Sequence, residues 1–129
     1  MKKYILFTFL LSTWLLNSCG SEVDCCVIPG VSIRIENASQ FDFEDITINT
    51  SGGTNDYGDL KSGAQSDFEF YEFAYRYAYV ELTIGNQQYK IIPIDYVGEE
   101  RLANGFYTYV LDIADLDDQW GLTIQLQQD

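Results

Sequence analysis

From Tyr75 to Ile84 the side chains alternate without a break, and no other stretch restricts the fold as tightly. Tyr75, Tyr77, Tyr79, Glu81 and Thr83 take the odd positions; Arg76, Ala78, Val80, Leu82 and Ile84 take the even ones. A repeat of two is that of an extended strand, whose successive side chains point to opposite faces. The even face reads as core. The odd face presents three phenols in a row, about 6.5–7 Å apart along a strand. Seven of the chain's twenty aromatic residues fall between Phe68 and Tyr79. At Phe70-Tyr71 the aromatic phase slips from even to odd numbers. A slip of one inverts every side chain, so the backbone must bulge or turn a corner there. A helix over residues 71–78 is the rival, since Glu, Ala and Arg tolerate helices. Strands are preferred, because Tyr and Phe favour pleated surfaces and no N-cap box precedes the segment.

The same alternation recurs along the chain. In residues 31–37 Val31, Ile33 and Ile35 point in while Ser32, Arg34 and Glu36 point out. Residues 43–50 set Ile46 and Ile48 against Thr47 and Asn49. Residues 51–55 form a loop, 57–60 a very short strand, and 65–70 a run with Phe68 and Phe70 on one side. Ile84-Gly85-Asn86-Gln87 reads as a hairpin turn. In the run from Tyr89, Pro93 cannot donate to a ladder, so that strand ends there or lies on an edge. Residues 95–105 form a loop. Residues 106–113 follow, with Tyr107, Tyr109, Leu111 and Ile113 on one face; residues 115–121 turn; Leu122, Ile124 and Leu126 make the last strand. Seven or eight short strands with frequent turn signals predict an all-β fold, an antiparallel β-sandwich.

Residues 1–18 stand apart from that domain. Lys2 and Lys3 open a basic start, an apolar run too short to span a bilayer follows, and Leu16-Asn17-Ser18-Cys19 closes it. A cysteine directly after a small residue resembles the lipobox of bacterial lipoproteins. That resemblance implies cleavage before Cys19, diacylglyceryl attachment to its sulfur and acylation of the new N-terminus. Residues 19–30 then read as a lipidated tether and 31–129 as the sandwich domain. Gly20, Ser21, Glu22 and Asp24 resemble in part the acidic signal that sends Bacteroidota lipoproteins to the cell surface. Processing would leave 111 residues and take the net charge from −13 to −15, since only Lys2 and Lys3 are lost among the charged groups. So acidic a surface repels nucleic acid and anionic membranes. Cys25 and Cys26 are adjacent: they stay free, pair in a strained ring, or cross-link to another chain.

Asn104-Gly105-Phe106-Tyr107-Thr108-Tyr109 resembles the G-x-Y-x-Y opening of a late strand in immunoglobulin-like and transthyretin-like sandwiches, where the Tyr packs inward and its hydroxyl ties the adjoining corner. IENAS (35–39), YGDLKSGAQS (57–66), AYRYAYVELTI (74–84), PIDYVGEERLANGFYTYVLDI (93–113) and LTIQL (122–126) together are similar to a family of small Bacteroidota lipoproteins with a single domain. The resemblance implies a fold and an outer-membrane compartment and assigns no chemistry.

Candidate sites remain. Tyr75, Tyr77 and Tyr79, if uncovered, can stack on sugar rings or bury against a protein partner; covered by a loop or strand, they serve the scaffold. Asp112, Asp115, Asp117 and Asp118 could supply several of the oxygens calcium needs, or form a solvated turn; they lack the Gly and terminal Glu of an EF-hand loop. Asp95, Glu99 and Glu100 could pair as glycosidase acids, but nothing holds their separation. The chain contains no histidine, hence no Ser-His or Cys-His nucleophile. No Gly-rich loop joins a strand to a helix, so nucleotide binding has no support. The expectation is a non-catalytic, cofactor-free module anchored at the outer membrane through Cys19 that binds a glycan or protein. The alternative is a structural spacer of an envelope assembly with no ligand of its own.

Overall fold

The computed structural model describes residues 29–116 and 119–129. These residues form eight strands and no helix: β1 (Val31–Asn37), β2 (Phe43–Asn49), β3 (Thr54–Leu60), β4 (Glu69–Tyr71), β5 (Tyr79–Ile84), β6 (Gln87–Ile91), β7 (Gly105–Leu116) and β8 (Gln119–Gln128). They make two four-stranded sheets, ordered β4-β1-β7-β8 and β3-β2-β5-β6. Alternate side chains of both sheets meet in one core. Val31, Ile33, Ile35, Tyr107, Tyr109 and Leu111 enter from the first sheet, and Phe43, Ile46, Ile48, Val80 and Leu82 from the second. The fold is all-β and sandwich-like, as the alternation predicts. Cys19, Cys25, Cys26, Asp117 and Asp118 lie outside the described residues.

The bulge or corner expected at Phe70-Tyr71 is not there: β4 keeps unbroken register with β1 through Glu69, Phe70 and Tyr71, and the chain changes sheets only beyond them, over residues 72–78. β4 pairs with β1 in the first sheet, and β5 pairs with β2 in the second. Tyr71 turns into the core while Phe68 and Phe70 stay on the outer face. There Phe68 meets Phe106 edge to face at 5.2 Å between ring centroids. The Arg34 guanidinium lies over the Phe68 ring and pairs with Asp129 at 3.1 Å, closing the end of β8 against β1 and β7.

Four further expectations need correction. β1 runs parallel to β7, from Val31↔Gly105 to Asn37↔Leu111, so the sheets are not purely antiparallel. β3 begins at Thr54, inside the expected loop, and its upper half is polar because it is an edge strand with one side of its ladder in water. β7 extends to Leu116 and β8 begins at Gln119, so Asp115, Leu116 and residues 119–121, expected to turn, pair in the ladder instead. The alternating stretch is a strand only from Tyr79 onward: residues 72–78 carry no ladder, and Arg76 is exposed rather than in the core. Even so, Ala74, Ala78, Val80 and Leu82 are buried. The Gly85-Asn86 hairpin is as expected, with Gly85 at φ 60° in the first central position that a type II′ turn reserves for glycine. β6 stops at Ile91, before Pro93, and is also an edge strand.

One buried amide holds the end of the domain where β1 stops. Asn37 is fully buried; its Nδ2 donates to the carbonyls of Phe41 (2.7 Å) and Leu60 (3.1 Å), and its Oδ1 accepts from the backbone N–H and hydroxyl of Ser39. Its main chain pairs with Gly63 and Ala64. A single side chain thus shapes both the β1–β2 and β3–β4 loops. Asn37→Ala is expected to cost about 3 kcal/mol, because two carbonyls and a buried N–H lose their partners at once. Urea denaturation would show this as a lower midpoint at unchanged slope.

Candidate functional site

The two ends of the domain differ in chemistry. At the end where β1 begins, residues 50–53, 72–78 and 92–104 are bound to one another. The Thr50 hydroxyl donates to the Phe73 carbonyl at 2.8 Å, Glu72 N–H donates to Gly52 O, and Leu102 N–H donates to Ala74 O. Gly52 is required here, since a Cβ would fall onto the Phe73 backbone. Tyr109 reaches up from β7 and donates to Tyr75 O at 2.6 Å; Tyr107 donates to Ala103 O at 2.7 Å. The predicted tyrosine face lies on this platform, half-buried throughout.

A fourth tyrosine covers it. Tyr96 stacks on Tyr75 at 4.3 Å and on Tyr77 at 5.5 Å, while Phe73 packs edge-on against Tyr75 and carries the Arg101 guanidinium on its ring. The Tyr77 hydroxyl donates to Asp95 O, and that of Tyr79 to Glu81 Oε2 at 2.6 Å. Glu81 in turn holds Gln88 and faces Lys90. The bond to the Glu81 carboxylate, with burial behind it, raises the Tyr79 phenol above its ordinary range. Burial first, and the nearby Glu99 charge second, do the same for Tyr77. Tyr75 and Tyr77 therefore clamp residues 92–104 while Tyr79 turns to Glu81, and the three do not form an open row. The period-two pattern did not disclose their cover, which comes from a loop residue far along the chain.

Of the acidic candidates, Asp112 and Asp115 do not converge. Asp112 lies within β7 opposite Thr123, and its Oδ1 accepts the Ile113 N–H at 2.7 Å; Asp115 lies opposite Trp120. An even and an odd position on one strand project to opposite faces. Among the described residues no group of three or more His, Cys, Asp or Glu side chains is placed to hold a metal ion. Asp95, Glu99 and Glu100 are all exposed on the 92–104 loop, where Asp95 Oδ1 accepts the Val97 N–H. A hollow of about 290 Å³ between the edge strands β3 and β4 is lined by Tyr57 and Leu60 together with the acidic residues Asp56, Asp59, Asp67 and Glu69.

The opposite end carries a surface that periodicity did not disclose. β7 and β8 run on past the end of β1, which leaves β7 at Leu111. Trp120 folds back from this arm against Phe41, their rings edge to face at 6.5 Å. With Ile84, Tyr89 and Ile113 they line an apolar cleft of about 110 Å³, and an adjoining hollow of about 260 Å³ adds Gln40 and Asp112. Trp120 is 61% exposed and Phe41 43%. These residues come from the β1–β2 loop, the β5–β6 hairpin and the β7–β8 arm, so no local pattern unites them. The one available signal was a tryptophan among acidic and polar residues near a turn, where burial does not require one.

No family model matches the chain, and no curated protein matches it. Among solved structures it is similar to a protein from Eubacterium rectale determined by NMR, with a TM-score of 0.53 and 16% identity over 74% of this chain and 87% of that one. At that identity the similarity concerns the fold alone.

Proposed function

We propose that this chain is a lipid-anchored, non-catalytic binding module of the bacterial outer membrane, of the small Bacteroidota lipoprotein type, tethered through Cys19. Its domain is an immunoglobulin-like or transthyretin-like sandwich. The finer fold assignment is supported by Tyr107, which is buried and whose hydroxyl donates to Ala103 O four residues upstream, as in a tyrosine corner. The binding reading rests on one observation: the cleft of Phe41, Tyr89 and Trp120 opens at the end of the domain remote from the point where the tether joins it. Exposed rings with few polar neighbours suit the flat face of a neutral sugar or an apolar side chain of a protein partner. The acidic surface weighs against anionic ligands.

Trp120→Ala is expected to weaken partner capture about tenfold or more while leaving the unfolding temperature nearly unchanged, because the ring is mostly in water. Tyr77→Ala should spare capture. Glycan arrays and pull-downs from envelope extracts, run with both variants, test this; equal capture by wild type and Trp120→Ala would remove the cleft from consideration. The structural-spacer reading draws on the cover that Tyr96 gives Tyr75 and Tyr77. It gains if neither assay retains a partner.

A further inference from the structure

The end of the domain where β1 begins has an apolar tip. Ile92, Ile94 and Val97 are 69%, 99% and 88% exposed. They protrude from the 92–104 loop, whose base is held rigid by the Tyr75–Tyr96–Tyr77 stack and by the Leu102 to Ala74 backbone bond. Three nearly bare aliphatic side chains within six residues, on a loop fixed by aromatic packing, are a costly feature for a purely aqueous surface. The strand registers place this tip at the point where the chain enters the domain. Val31 pairs with Tyr71, just before residues 72–78, and with Gly105, just after the loop.

Eleven residues separate Cys19 from Val31. They reach at most about 40 Å. A domain tied by acyl chains at Cys19 is thus held within about its own width of the bilayer, on the side that carries Ile92, Ile94 and Val97. Tyr75, Tyr77 and Tyr96 stand behind them, and tyrosine favours the membrane–water boundary. Asp95, Glu99, Glu100 and Glu72 outnumber Arg76 and Arg101 here, which selects lipid headgroups without net negative charge.

We infer that this end lies against the membrane, with Ile92, Ile94 and Val97 inserted at the headgroup level of a neutral lipid surface as a second attachment beside the acyl chains. The inference rests on the lipid-anchored reading above. It sets the domain upright, so that the Phe41–Trp120 cleft points away from the bilayer.

The test uses acylated protein extracted from membranes of cells expressing the full chain, reconstituted into phosphatidylcholine vesicles brominated near the glycerol end of the acyl chains. Trp120 reports on the far end. Ile94→Trp in a Trp120→Phe background reports on the tip; the exposure of Ile94 makes this a mild change, checked by thermal unfolding. Bromolipid should quench the Ile94→Trp fluorescence about twofold or more and barely affect Trp120, since apolar groups at an interface sit about 5–10 Å deep. Adding anionic lipid should reduce that quenching. Acylated protein in which both tryptophans are unquenched and equally open to iodide would overturn the inference and leave the anchor standing. A tip that is wet in pure lipid but protected in native membranes would assign it to a protein partner and likewise overturn the inference. Protein with a bare Cys19 would overturn the anchor and the inference together.

Discussion

Tyr109→Ala is expected to lower the free energy of unfolding by about 5 kcal/mol, most of what a domain of this size possesses. Two losses combine. The ring is completely buried at the centre of the core, among the large side chains of both sheets, and its removal leaves a cavity. Its hydroxyl also supplies the 2.6 Å hydrogen bond to Tyr75 O, a carbonyl in a segment with no ladder of its own. Tyr109→Phe separates the two: keeping the ring and losing the bond should cost only about 1–2 kcal/mol. Because Tyr75 carries Tyr96, the phenylalanine variant should also loosen the clamp above it. Hydrogen exchange in residues 72–78 and 92–104 is expected to accelerate more than exchange in β2 or β5. Uniform acceleration would mean that the bond supports the domain at large and not this end in particular.

The second large effect is alkaline unfolding. Tyr57 donates to Ile33 O at 2.9 Å, and its hydroxyl lies 3.1 Å from that of Tyr71. Burial raises the pKa of Tyr57, with the Tyr71 phenol adding to it; burial also pushes Tyr71 up to about 12 and raises Tyr109 well above the ordinary phenol range. A raised pKa means the folded state retains protons that the unfolded chain gives up above about pH 10. The unfolded state then binds fewer protons, so stability falls as pH rises, by about 1.4 kcal/mol per unit for each such phenol. The contribution is fully present below pH 10. With three phenols the slope approaches about 4 kcal/mol per unit, enough to unfold a typical domain before about pH 12. Phenolate absorbance and circular dichroism should change together in one cooperative step. Tyr71→Phe, if it folds, should move that step to higher pH. Smooth, non-cooperative titration of every tyrosine near pH 10 would show that these hydroxyls are not sequestered.

Periodicity carried much of the fold because each strand reports its own buried face. Val31, Ile33 and Ile35 on β1, and Tyr107, Tyr109 and Leu111 on β7, are core residues where alternation put them. The aromatic pattern signalled a change of sheet but misplaced it: Phe70 and Tyr71 alternate normally within β4, and the buried parity inverts only between Tyr71 and Ala74, where the ladder ends. Partner direction has no such local signature: nothing in β1 alone distinguishes the parallel pairing with β7 from an antiparallel one. Residues 75–78 alternate without a ladder because Ala74 and Ala78 are buried for tertiary reasons while Tyr96 and Tyr109 hold the segment from either side. The cleft was illegible for a similar reason. Phe41, Tyr89 and Trp120 are far apart in the chain and meet only because three connections converge at one end of the domain.

The two ends thus differ: tyrosines and a bare aliphatic tip where β1 begins, and an aromatic cleft at the other. This polarity has a meaning only if the chain is attached at residue 19. Intact mass of the N-terminal peptide, taken from membranes of the native host, tests that most directly. The expected result is a chain that starts at Cys19 and carries diacylglycerol on sulfur and an acyl group on nitrogen. A peptide that retains residues 1–18, or one that begins elsewhere with an unmodified Cys19, would contradict it.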